Sequence, residues 1–143
     1  MTASVAPLTL PGKIVLLCLV WATAVQVRLE LWRRPLPEVV SALATPSRRN
    51  RRPVTLLSRA VSRGLRIGGW HPRCLIRSLV LYRLLRAQGE PAELIIALPR
   101  HATSHEAHAW VELHGRDVGP LPGGGGYQEL TRYPRPAAQR PPS

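Results

Sequence analysis

One thiol and one imidazole stand in sequence contexts that suit catalysis. Cys74 opens the stretch Cys74-Leu75-Ile76-Arg77-Ser78-Leu79-Val80-Leu81-Tyr82, and His108 lies within Ala107-His108-Ala109-Trp110-Val111-Glu112. The first stretch reads as the head of an amphipathic helix. There the first-turn N–H groups and the helix dipole favour a thiolate, and Arg73 and Arg77 are close in sequence. The second reads as an alternating strand, whose first side chain can point from the sheet toward a packed helix. Placed this way, an imidazole holds a thiolate as an ion pair and later protonates the leaving amine. Each residue alone has an ordinary reading: a buried structural cysteine, and a satisfied histidine at a loop edge. Only the pair points to chemistry.

The elements that must position the pair follow from local pattern. Pro72 suits a first helical turn, where a missing N–H costs nothing. From Leu75 to Ala87 the apolar positions 75, 76, 79, 80, 84 and 85 form one broad face, with Arg77, Arg83 and Arg86 largely outside it. Gly89, Glu90 and Pro91 stop that helix. Residues 92–98 are predicted to be a buried strand, and residues 107–113 a second one. His114-Gly115-Arg116 forms the turn into a third, short strand around Asp117-Val118.

Upstream, Lys13 to Val25 is a strongly apolar run that continues in helical pattern through Trp32. The run itself would span roughly 20 Å, short of a ~30 Å hydrocarbon core, which argues against a membrane span. Ala22-Thr23-Ala24 fits a small-x-small cleavage site, so a signal peptide competes with a packing helix; the continuing pattern favours the packing helix. Pro35 and Pro37 end it, a short helical turn covers residues 38–43, and Val54 to Ile67 has helical spacing. Cys18, inside the apolar run, is expected to be a small buried hydrophobe. Two cysteines are too few for a disulfide framework, which points to an intracellular, cytoplasmic chain.

The chain carries 20 basic and 8 acidic residues over 143 positions, a formal charge of +12, and Lys13 is its sole lysine. Such a surface suits an acidic partner: nucleic acid, phospholipid or acidic peptide. A basic loop at residues 47–53 concentrates four arginines, yet no nucleic-acid motif or aromatic interleaving accompanies it. The glycine run at 123–126 lacks the pattern of a phosphate loop. His101, His105 and His108 have a spacing that would align three zinc ligands on a helix, but residues 107–113 read as strand. Neither a metal nor a cofactor is expected.

Taken together, the two segments resemble the transglutaminase-like cysteine peptidases of lasso-peptide biosynthesis, which cut the leader from a precursor before its macrolactam ring is closed. The resemblance is carried by Pro72, residues 74–79, Tyr82, Leu84-Leu85, Gly89, Ala92, residues 107–112 and Gly115-Arg116-Asp117-Val118, and so covers about residues 54–120. The short chain and its leading apolar helix look like the stand-alone peptidase of that family. What the resemblance implies is an α+β, papain/transglutaminase-like fold, with N-terminal helices and a Cys-bearing helix packed on a small antiparallel sheet. It implies Cys74 as nucleophile and His108 as general base. It also implies a precursor-peptide substrate, a small leader-recognition protein and an ATP-dependent ring-closing enzyme as partners. The expected layout is a flexible lead-in at 1–12, a helical segment and basic loop at 13–52, the peptidase core at 53–121 and a flexible tail at 122–143.

One family feature is missing. An aspartate is expected about twelve residues after the histidine, where this chain has Pro120. Asp117, in a hairpin turning at Gly115, would lie opposite Glu112, roughly 13 Å along the strand from His108 at ~3.3 Å per residue. A bulge or a backbone carbonyl would have to take over the orienting role. Two other readings therefore stand beside the peptidase: a weakened family member acting as an assembly or binding subunit, and an Arg-rich nucleic-acid binder. Whether the apolar helix touches lipid is left open.

Overall fold

A computed structural model describes residues 7–47, 51–67, 74–100, 107–119 and 126–134. Four helices come first: α1 (Leu10–Arg33), α2 (Leu36–Leu43), α3 (Val54–Gly64) and α4 (Cys74–Ala87). Four strands follow: β1 (Glu93–Pro99), β2 (His108–Leu113), β3 (Arg116–Asp117) and β4 (Tyr127–Tyr133). They form one antiparallel sheet in the order β3-β2-β1-β4. The result is an α+β fold, as the resemblance implies, with the cysteine-bearing helix packed on the sheet.

Helix α4 is the centre of the molecule. Helices α1, α2 and α3 pack on it from one side and β1 and β2 from another. Its residues are buried almost without interruption from Arg77 to Leu85, so it has no polar face of the kind the sequence spacing suggests. Arg77, expected outside the apolar face, is 7% exposed. The helix ends in a Schellman turn. Gly89 (φ +86°) donates to the Arg86 carbonyl at 3.0 Å, and the Glu90 N–H reaches back to Leu85 O at 3.0 Å. Glycine is needed there because a side chain disfavours positive φ.

Neighbouring segments are tied to the far end of α4. The Ser47 N–H donates to Ala87 O at 2.9 Å, while the Gln88 side chain accepts from Arg52 N–H and donates to Arg52 O. Arg83 donates to Leu43 O, anchoring the end of α2. On the other side of the bundle, α3 approaches α1 closely at Gly64. A Cβ there would meet Leu17 Cδ1 at 3.1 Å and Val20 Cγ1 at 3.4 Å.

The sheet has two faces of different character. Leu94 and Val111 point into the main core with α4, whereas Ile95, Ala97 and Trp110 form a second apolar cluster with Tyr127. That split follows from the two-residue alternation of a strand. The β2–β3 turn uses His114 (φ +52°) and Gly115 (φ +77°), both in the left-handed region that suits a two-residue hairpin. Glu112 then faces Asp117, the register expected from sequence.

Several expectations are corrected. Residues 127–133, assigned to a flexible tail, form β4, which pairs with β1 along its length with a register shift between Ile96 and Ala97. Helix α1 begins at Leu10, inside the supposed lead-in, with Pro11 in its first turn. Residues 13–52 share one core with the rest, which takes Val20 and Val27 of α1, Val40 of α2 and Leu79 of α4 together. Cys18 is exposed rather than buried. At 24 residues, α1 is also long and apolar enough to cross a membrane by length and composition, so the length argument against it does not hold. His101, His105, Pro120 and the loop at 68–73 lie outside the described residues. Among the described residues no group of His, Cys, Asp or Glu is arranged to hold a metal.

Candidate active site

The placement of Cys74 follows from how α4 meets the sheet. Alternate carbonyls of a strand point to the same side. On the side of β2 away from β1, Ala107 O lies 3.8 Å from the Cys74 thiol and Ala109 O accepts from Ser78 Oγ at 2.9 Å. Cys74 and Ser78 are four residues apart on a helix, about 6 Å. Their acceptors are two residues apart on an extended chain, about 6.6 Å. The two repeats match, so one turn of helix lies along the open edge of β2. Beyond it Val118 N–H takes Val111 O at 2.9 Å, and β3 continues the pairing. The edge is thus covered first by side chains of α4 and then by backbone.

This edge contact opens onto a cleft of about 620 Å³ lined by Leu36, Cys74, Leu75, Ile96, Ala107, His108 and Ala109. Both sequence-predicted site residues therefore reach one cavity. They are not hydrogen-bonded to each other among the described residues, since the thiol is directed at the Ala107 carbonyl. Contrary to the expectation that it points toward the packed helix, the His108 ring lies on the Trp110 side of β2, the sheet face opposite Val111 and the α4 core. It is stacked on Tyr127 with centroids 5.1 Å apart and planes 23° apart. Trp110 is 6.0 Å away, and His108 Nε2 is buried without a hydrogen-bond partner among the described residues.

A polar network backs these rings. Trp110 Nε1 donates to Glu112 Oε1 at 3.1 Å, and Arg132 donates to Glu112 at 3.0 Å, Glu93 at 2.9 Å and Glu129 at 3.1 Å. The hydrogen bonds to Glu129 and Glu93 hold the Arg132 guanidinium above even its ordinary high range. Arg132 thereby fixes β4 to β1 and β2, and β4 in turn carries Tyr127 to His108.

Asp117, opposite Glu112, has a local backbone partner. Its Oδ1 accepts from Gly119 N at 2.8 Å, closing the turn after β3. Sequence reasoning missed Tyr127 because it follows a glycine run in a segment without apolar alternation. It also missed Ser78, whose signal was available: a lone hydroxyl four residues after Cys74 in an apolar stretch.

The family model described as the transglutaminase-like superfamily matches residues 19–132, from within α1 to near the end of β4. No curated protein and no solved structure matches significantly.

Proposed function

The chain belongs to the transglutaminase-like superfamily, and on that premise we propose that it is a cysteine endopeptidase that removes the leader from a ribosomally made lasso-peptide precursor. The superfamily is generally one of cysteine proteases and acyltransferases. The observation that carries the reading is the shared cleft: Cys74 at the first residue of α4 and His108 at the first residue of β2 open into one cavity. In this reading the thiol leaves the Ala107 carbonyl and passes its proton to the imidazole. Sγ then attacks the scissile carbonyl carbon. N–H groups at the head of α4 take the charge on the carbonyl oxygen. The imidazolium gives its proton to the departing amine, and water releases the leader acid from the thioester. The stack on Tyr127 orients the ring where the family uses an aspartate. The proposed partners are a small leader-recognition protein and an ATP-dependent ring-closing enzyme, and the proposed setting is the cytoplasm.

A second reading, a catalytically weak member serving as a binding or assembly subunit, is favoured by one observation: the thiol faces a backbone carbonyl rather than the imidazole. Mass spectrometry of precursor peptide incubated with the protein and its leader-binding partner decides between them. Cleavage at one site that is lost in Cys74→Ala supports the peptidase. If the wild type forms the precursor complex but cuts nothing, the peptidase reading fails and the assembly subunit replaces it.

A further inference from the structure

Outside the cleft, an apolar strip runs along the solvent side of α1. Ile14, Cys18, Ala22, Val25, Leu29 and Trp32 recur at intervals of three and four, and all are exposed. Trp32 is 84% exposed and Val25 56%. Residues at these intervals lie on one side of a helix, here a strip roughly 27 Å long. The opposite side, including Leu16, Val20, Ala24 and Val27, is buried in the core. A helix whose inner side is already used this way cannot cross a bilayer without leaving the protein. It can lie on one.

Charge narrows the occupant. Glu30 is the sole acidic residue of α1, and it pairs with Arg34 at 3.4 Å. Lys13 and Arg33 stand near the two ends of the strip. Between α1 and α3 an adjoining groove of about 430 Å³ has an apolar floor that includes Leu16, Leu17 and Leu56 and a rim of Lys13, Arg59 and Arg63. A second copy docked through the same face would bring these cations against one another, at a net +12 per chain. An anionic lipid surface supplies what both features lack: negative headgroups beside apolar chains, with tryptophan favoured at the boundary.

We propose that the exposed face of α1 docks the protein on an anionic phospholipid bilayer, with the helix lying in the interface. The test uses the full chain carrying Cys74→Ala, so that an environment-sensitive dye labels Cys18 alone. Vesicles of equimolar phosphatidylglycerol and phosphatidylcholine are compared with phosphatidylcholine alone, by co-sedimentation and by quenching from a lipid-borne quencher. The expected result is binding to the anionic vesicles, a blue-shifted and quenched dye, and about fivefold weaker binding for each of Lys13→Gln and Arg33→Gln. Leu29→Glu should weaken binding at least ~10-fold, with Val25→Glu as the substitute if circular dichroism shows that variant unfolded.

Failure to bind anionic vesicles overturns the proposal, as does binding that the apolar-face variants leave unchanged. A dimer in sedimentation equilibrium that Leu29→Glu dissociates would overturn it in favour of a self-interface. None of these readouts involves peptide cleavage, so docking and the peptidase reading fail separately.

Discussion

At the scale of single residues, the orientation of His108 is the informative feature. The ring is stacked on Tyr127, and its Nε2 is buried with no hydrogen-bond partner among the described residues, so the contact that places it there is the aromatic stack. Aromatic pairs contribute about 0.5–1.5 kcal/mol beyond their burial. Tyr127→Ala is therefore expected to lower kcat for precursor cleavage roughly 3- to 10-fold with little change in KM. Tyr127→Phe should retain the wild-type rate. Equal loss in both variants would mean that the hydroxyl, not the stack, matters. The sequence made Cys74 and His108 legible because their positions depend on local signals: a helix head after Pro72 and the start of an alternating strand. Tyr127 was hidden because its partner is 19 positions away across a strand pairing that no local pattern announces.

At the scale of elements, α4 and β2 behave as one unit through Ser78. The side chain is buried and its hydroxyl serves the Ala109 carbonyl. Ser78→Ala removes the donor and leaves that buried acceptor unpaired, at a cost of about 1–3 kcal/mol. Urea denaturation measures it, as a lower midpoint with unchanged slope. A variant as stable as wild type would show that water replaces the hydroxyl. The helices were readable from their 3.6-residue spacing, and the ends of α4 and of β2 fell within a residue or two of expectation. Strand β4 was not readable, because Gln128, Glu129, Leu130, Thr131 and Arg132 alternate weakly and sit between proline- and glycine-rich stretches. Its order comes from pairing with β1 and from Arg132, which are tertiary effects. The end of helix α1 was legible, since its helical pattern runs through Trp32 and the helix ends at Arg33, whereas its start at Leu10 lies three residues before the apolar run that marked it.

At the scale of the whole molecule, α1 and α2 pack on α4 and share one core with the expected peptidase segment at residues 53–121. A chain beginning at residue 53 loses Leu16, Val20, Val27, Val40 and Leu43 from the core at once. Burial of such side chains contributes about 1.5–3 kcal/mol each, comparable in sum to the entire stability of a small domain. The truncated chain is expected to show no cooperative thermal transition by circular dichroism, whereas a sharp melt would show that residues 53–143 fold without α1 and α2. The overall α+β class was legible because it needs only the order of helices and strands.

The cluster around Arg132 has a consequence for the molecule in motion. Three carboxylates against one guanidinium leave that patch at −2, while the four helices carry eight basic residues against Glu30 and Glu38, a net +6. The patch lies on the face of the sheet turned away from α4, and the bundle of α1 to α3 lies beyond α4 on the other side. Charge separated in this way is a permanent dipole across the thickness of the protein. Near any polyanion the molecule experiences a torque before it makes contact, and it arrives with its helical side leading.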